Sequence, residues 1–431
     1  MSQTRIVQWK DGVVSRASED PPTPEIRRFR RHIVRLWLGQ VATGIGDQLH
    51  SVALLWIAVE SVGERAGWVI AAGALSRLAF GFVGGAYADR WDRQKTLIAC
   101  DLLSAAAVAT LIFATPGSDG ILLHLAAVAA VLGMLDSLFQ PALQASLPAI
   151  APDTARLQAA NAWLDVTRRL AVALGPSATG LLLAWIPLQH FFAVDAMTFV
   201  LSAVLIASLG RNYAWRSETA TSKSERASLI VEIRGAARLV SGERRLVWAL
   251  WQHAVWNFAL GAALTLGIAM IVDSELDGGP ALLGYATGAY GVGNVLSNVI
   301  LARSDVQNTT RMLHLGALVA AIGWGLVSFV THVPTWLFVI GISALGGPMT
   351  DLMLLRLIQT RFPTDQIGKV YSFRFTLSRA AGGVGLMVAP MIYGSVGPRT
   401  GIAVGAAVLA AVSLFGLASA SRREREATLS G

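Results

Sequence analysis

The sequence predicts an all-α polytopic membrane protein, with twelve transmembrane helices in two pseudo-symmetric six-helix halves. Three observations predict it. Of 431 residues, 54% are hydrophobic and only 14% charged, whereas a soluble globular chain carries about 25% charged residues. The apolar residues fall in runs of about 20, the length that crosses a bilayer as a helix. Basic residues sit on alternate links between those runs, the pattern that orients membrane helices.

The spans, numbered 1 to 12, are read at residues 33–59, 66–88, 95–115, 121–147, 158–185, 190–209, 246–272, 280–301, 312–331, 334–356, 369–396 and 400–420. The first run is too long for a signal peptide and has no small-residue cleavage site, so it reads as a retained span. Residues 1–32 read as a cytoplasmic tail rich in arginine (Arg27, Arg28, Arg30, Arg31). The links near 60–66, 116–120, 186–189, 273–279, 331–334 and 396–400 carry only Arg65 and Arg399 as basic residues. The alternate links hold Arg90, Arg93 and Lys95, then Arg156, Arg303, Arg311, Arg356, Arg361 and Lys369. Both termini are therefore expected in the cytoplasm, in an integral plasma-membrane protein.

The long polar stretch 210–245 is read as a cytoplasmic linker between the halves at 33–209 and 246–420. Its segment from Ser228 to Val240 has amphipathic helical spacing suited to a membrane surface. Residues 421–431 are read as a C-terminal tail. The halves echo each other: Pro176-x-x-x-Gly180 in span 5 has a counterpart in Pro390-x-x-x-Gly394 of span 11. Transporters are commonly built from such repeats. The single cysteine, Cys100, excludes an internal disulfide.

Twelve spans, both ends inside and the motif Gly85-x-x-x-Asp89-Arg90-x-x-Arg93 between spans 2 and 3 resemble the major facilitator superfamily. Asp92 stands where that family's motif usually has Gly, and Leu143 where it often has an Arg. "GPSATG", with Gly175, Pro176 and Gly180, is similar to the span 5 motif of antiporter branches. "IGDQLHSVALLW", "PALQASLPAI" and "LQAANAW" look most like the drug:proton antiporter branch with macrolide-efflux and enterobactin exporters. The resemblance implies that Asp89 latches span 2 to the N-terminal end of span 11, favouring the state closed to the cytoplasm. Gly81, Gly84 and Gly85 would allow that approach, facing small residues of span 11.

The resemblance also implies that spans 1, 4, 7 and 10 line the substrate cavity, and each carries polar groups near its middle. Span 1 has Gln40, Thr43, Asp47 and His50 at three- and four-residue spacing. Span 4 has Asp136 and Gln140; span 7 has Gln252, His253, Trp256 and Asn257; span 10 has Thr350 and Asp351. An ionisable group at mid-membrane costs about 2.5–3.5 kcal/mol on insertion scales, which makes it a functional candidate by default. Asp47, Asp136 and Asp351 are the proton-coupling candidates. For Asp351 a pairing with Arg356 or Arg379 is the alternative. Arg77, Arg168, Arg169, Arg374 and Arg379 read as structural pairs or snorkelling ends, and Asp101, Asp165 and Asp195 as their partners or interfacial groups.

Other motifs are excluded. Asn308-Thr309-Thr310 fits a sequon but lies on an expected cytoplasmic link, and no GxxxxGK[ST], HExxH or CxxC occurs. "GISAL" is not a nucleophile elbow, and "GVGNVL" at 291–296 is small-residue helix packing. The expectation is thus not an enzyme, with no cofactor, metal or nucleic acid. It is a monomer whose partners are the bilayer, protons and a small-molecule substrate. Proton-coupled efflux of a partly hydrophobic drug, natural product or siderophore leads. A proton-coupled importer and a non-transporting receptor on the same fold remain alternatives.

Overall fold

The computed structural model describes residues 24–429 apart from 88–91, 116, scattered positions between 152 and 185, 211–234, 236, 277 and 305. Among the described residues the elements are helices, without a strand. Span 1 is Pro24–Val62, so the helix starts in the arginine-rich segment well before the apolar run. Proline is favoured there because the first helical N–H has no partner to lose. A tight turn at Gly63, with φ +57°, leads into span 2, Ala66–Tyr87. Span 3, Arg93–Thr110, is capped by Asp92, whose carboxylate accepts from the Lys95 N–H at 3.2 Å. The departure from the family's Gly therefore serves as a helix cap.

Span 4 is Ile121–Ile150 and span 6 is Gln189–Ala207. Of span 5, residues 156–161 and isolated positions as far as 182 are described, and these are helical. Span 7 runs Arg244–Ala262, a π-helical turn Ala263–Gly267, then Ile268–Ser274. Spans 8 and 9 are Gly279–Ala302 and Thr309–Val327. Span 10 is broken into Val333–Ser343 and Gly346–Arg361. Spans 11 and 12 are Thr364–Val396 and Pro398–Leu429, so helix continues into the predicted tail. Eight of these units, spans 3, 4, 6, 7 and 9–12, are long and apolar enough to cross a membrane on length and composition alone. Spans 1 and 8 are interrupted by polar side chains, and spans 2 and 5 fall partly outside the described side chains. Of the predicted surface helix, 237–241 are helical, with Val240 buried.

The break in span 10 follows from its sequence. Pro348 has no N–H to return to Ala344, whose carbonyl is met instead by the Gly347 N–H at 3.3 Å. Ser297 of span 8 donates to the Leu345 carbonyl at 2.7 Å. Irregular backbone at membrane depth needs such partners. Arginines close other helix ends. Arg35 donates to Ser208 O at 2.8 Å, Arg93 to Ala145 O at 2.8 Å and Arg356 to Val306 O at 2.9 Å. Arg399 pairs with Glu275 and donates to the Val330 carbonyl at 2.8 Å, tying spans 9 and 12 to the link after span 7.

Three apolar clusters define the architecture. One joins both halves, from Leu49–Val59 of span 1 to Leu266–Val272 of span 7 and Tyr393 of span 11. The second belongs to the first half (Leu36, Leu97, Leu143, Ile206) and the third to the second half (Leu246, Leu313, Leu354, Val370). The shared cluster lies at the end with the short links. The separate clusters lie at the end that bears the termini and the 210–245 stretch. Among the described residues, the halves meet at the short-link end and diverge toward the other.

The small residues expected to draw spans 2 and 11 together do so elsewhere. Gly67 meets Pro390 at the short-link end, where an added Cβ would lie 2.7 Å from the proline ring. A Cβ on Gly81 would meet nothing within 4 Å, and Gly385 packs on the Phe258 backbone of span 7 instead. The latch contact through Gly81 is therefore not made in this conformation, because the halves have separated there. Asp89 and Arg90 lie outside the described residues, as does the Gly85 side-chain position.

Backbone contact carries much of the helix packing, since lipid supplies no hydrophobic drive between helices. Gly293 of span 8 sits against the Gly341 carbonyl of span 10, with Ala344 2.9 Å from an added Cβ. Gly293→Ala is expected to lower thermal stability in detergent, by about 1–3 kcal/mol as overpacking does. Gly261→Ala, with open space at its Cβ, is expected to hold or raise it. Equal behaviour of the two variants in a thermal-unfolding series would remove the close-approach explanation.

Candidate functional site: a charged cleft between the halves

Span 1 divides its polar residues between two faces. Thr43 is buried and its hydroxyl donates back to Gly39 O at 3.1 Å. His50 is buried too, with Nδ1 3.3 Å from Asp195 of span 6 and its ring edge-on to Phe192. Gly46 lies between them against Asp195 and Thr198. This face packs on span 6. Gln40, Gly44, Asp47 and Ser51 form the other face, with Asp47 exposed and Gln40 half-exposed. The two faces arise because a residue of span 1 turns 100° from its neighbour, so one predicted stripe straddles both.

Asp47 lies within Coulomb range of Asp136 and Arg77. Arg77 of span 2 holds Asp136 of span 4 at 2.7 Å, and Gln140 donates to the same carboxylate at 3.3 Å. Both members of the ion pair stay open to solvent, with side chains 46% and 39% exposed. Asp47 itself has no ion pair or side-chain hydrogen bond among the described residues.

The second half carries a matching cluster. Arg374 of span 11 donates to Asp351 of span 10 at 2.5 Å, with His253 Nε2 of span 7 at 3.6 Å from the same oxygen. Tyr290 of span 8 lies within Coulomb range of Asp351. Asp351 thus pairs with neither sequence candidate: Arg356 caps the 306 carbonyl, and Arg379 stacks over Phe375 at 4.3 Å. Asn257 donates back to His253 O at 2.8 Å, and Trp256 is half-buried against the shared core.

Besides Thr43 and His50, two residues of the second half expected at the cavity face are elsewhere. Gln252 is fully buried and hydrogen-bonded to His314 of span 9. Thr350 is buried, its hydroxyl donating to Gly346 O at 3.0 Å. Each sits one residue from a cleft-facing neighbour, and 100° of helical rotation turns it inward. Of the antiporter-like motif, Gly175 is described. It presses on Gln48 of span 1, whose side chain an added Cβ would overlap. Pro176 and Gly180 lie outside the described residues. Leu143 is buried in the first-half cluster.

Arg77 and Arg374 read from the sequence as structural residues without a specific partner, and the structure gives them Asp136 and Asp351. Only their helix positions were legible; their partners are on other helices. Among the described residues no group of His, Cys, Asp and Glu could hold a metal ion.

The family model described as Major Facilitator Superfamily matches residues 36–385. The chain is 23% identical over 352 residues to the MFS-type transporter YfiS of Bacillus subtilis (strain 168), covering 80% of this chain and 82% of that one. It is 25% identical over 354 residues to the multidrug efflux pump Tap of Mycobacterium tuberculosis (strain H37Rv), covering 80% and 83%. A crystallised peptide transporter POT superposes with a TM-score of 0.67 at 17% identity, covering 90% of this chain and 94% of its own. A bacterial homologue of ferroportin in its inward-facing state gives 0.65 at 14% identity, covering 90% and 99%. At these identities the structures speak for the fold.

The two ion pairs differ in exposure, and so should their coupling. Double-mutant cycles on thermal stability are expected to give about 1 kcal/mol or less for Arg77–Asp136, a solvent-open pair. For Arg374–Asp351, whose arginine is only 13% exposed while its carboxylate is 54% exposed, a moderately larger coupling of about 1–1.5 kcal/mol is expected. The reverse order would mean that burial does not set the strength of these pairs.

Proposed function

The chain belongs to the Major Facilitator Superfamily, and from that premise we propose that it exports a small, partly hydrophobic molecule in exchange for protons. It is a membrane transporter, as its relatives and structural neighbours are, and not an enzyme. The finer reading rests on one observation. Three carboxylates lie at mid-span in the cleft, and among the described residues Asp47 alone has no ion pair. Asp136 and Asp351 are neutralised by Arg77 and Arg374. An unpaired carboxylate at membrane depth is the group best suited to take and release a proton as its surroundings change.

The basic bias of alternate links places the open end of the cleft at the cytoplasm and the shared apolar core on the outer side. In this state, open inward, substrate enters between the halves and meets the charged clusters of spans 2 and 4 and of spans 10 and 11. Closing the cytoplasmic end and parting the outer core would carry the site across. Inward return of a proton on Asp47 supplies the drive, about 2.3 kcal/mol per elementary charge per 100 mV in addition to the pH gradient. The relative Tap, a multidrug efflux pump, supports the outward direction. The protein acts in the plasma membrane as a monomer, with both termini in the cytoplasm.

Two measurements test this reading. In inverted membrane vesicles, Asp47→Asn is expected to abolish gradient-driven accumulation of a dye substrate while leaving its binding intact. Asp136→Asn and Asp351→Asn serve as comparisons. Vesicles of the Asp47 variant that still build a substrate gradient would take Asp47 out of coupling, and accumulation under the opposite proton gradient would make the protein an importer.

Orientation is tested separately. With Cys100→Ser as background, a cysteine at Ser118 is expected to react with an impermeant thiol reagent outside intact cells, and one at Ser222 to stay unreacted. The opposite labelling would invert the topology.

A further inference from the structure

A cavity of about 270 Å³ lies at the terminus-bearing end of the second half, away from the cleft, among spans 7, 9 and 12. Arg244 and Arg245 line it from the first turn of span 7, Thr310 from the first turn of span 9, and Ser419 from span 12. Neither arginine has an ion pair or side-chain hydrogen bond among the described residues. Glu243, the acidic group beside them, is engaged by Arg361 of span 10 at 3.6 Å. Among the described residues the lining therefore presents two positive charges without a counter-ion, the Thr310 hydroxyl and the positive ends of two helices. The Trp248 indole N–H is buried there without a partner, its ring 4.8 Å from Phe415. Gly416 keeps the space open, since a Cβ there would lie 2.6 Å from the His314 ring.

A second, almost wholly apolar cavity of about 340 Å³ lies farther along the same two helices. Trp251, Val255 and Phe258 bound it from span 7, Val404 and Val408 from span 12, and Ala389 and Tyr393 from span 11. At helical spacing these continue the stripes that begin with Trp248 and Phe415. Trp251, Val404, Val408 and Phe415 are each about half exposed or more, on the surface that faces acyl chains. An anionic socket at the end of an apolar groove matches one phospholipid molecule, and a free anion would use only the socket.

We propose that the seam of spans 7 and 12 binds one anionic phospholipid. Its phosphate sits on Arg244 and Arg245, with the Thr310 hydroxyl and the Trp248 N–H donating. One acyl chain runs along Trp251, Val255 and Val408. Basic pockets between transmembrane helices at this level suit anionic headgroups. The site is independent of the direction and coupling of transport.

The test is native mass spectrometry and thermal unfolding of the full chain in detergent. The probes are phosphatidylglycerol, phosphatidylcholine with the same acyl chains, and sodium phosphate. Wild type is expected to retain one phosphatidylglycerol and to be stabilised by it over phosphatidylcholine. The double variant Arg244→Gln/Arg245→Gln is expected to lose about 30-fold in that affinity, from two arginines worth about fivefold each. Arg303→Gln, an exposed arginine off the seam, is expected to keep it. Val408→Trp, which fills the groove, is expected to lose the lipid with the arginines intact. Unfolding in phosphatidylcholine checks that each variant is folded. The proposal is overturned if the double variant binds phosphatidylglycerol as wild type does, or if the two lipids bind alike. It is also overturned if sodium phosphate alone stabilises wild type and Val408→Trp as fully as phosphatidylglycerol stabilises wild type, which would make the socket a small-anion site.

Discussion

The two halves are held together at one end only, and the rest of the molecule is arranged around that contact. Leu49–Val59, Leu266–Val272, Tyr393 and the Gly67–Pro390 approach form a single packed body. In lipid this packing gains little from expelling water and depends on close backbone approach and good van der Waals fit. Such a contact can be exchanged for an equivalent one at the other end. A soluble core of the same area could not be opened so readily, because its apolar faces would meet water.

Where the halves part, the chain has to solve a different problem. Charges exposed to a narrow cleft are solvated by little water and by each other. Arg77 with Asp136 and Arg374 with Asp351 are the local solutions, one in each half. Each pair joins two helices, so substrate or protons that disturb the charge also disturb helix packing. Asp47 stands outside both pairs but close enough to Asp136 and Arg77 to feel them. That arrangement couples a change of charge on span 1 to spans 2 and 4 without a direct bond. The irregular middles of spans 7 and 10, a π-turn and a Gly-Gly-Pro break, lie in the same half as Asp351 and supply backbone that can bend.

Backbone groups left over by this architecture are satisfied mainly by arginine. Arg35, Arg93, Arg356 and Arg399 each reach a backbone carbonyl of another element, in its last turns or in the link beyond it. Arg93 and Arg356, which lie at the basic-rich links, therefore also satisfy backbone carbonyls. Arg244 and Arg245 differ by having no such partner among the described residues, which is what singles out the seam they line.

Much was legible in the sequence alone. Apolar run length and the alternation of basic links determine the spans, because both report on one chain segment against a uniform solvent. The loop motif identifies the superfamily, and the mid-span acids stand out because lipid makes them costly. Tertiary structure decided the rest. It divided the span 1 stripe between a packing face and a cleft face, turned Gln252 and Thr350 inward, and gave Asp136 and Asp351 their arginines. Helical spacing states which residues share a side of one helix. It cannot state what that side meets, because the partner lies on a helix far away in the chain. The same limit governs the small residues of spans 2 and 11. Their sequence permits a close approach, but the conformation of the whole molecule decides at which end the two helices touch.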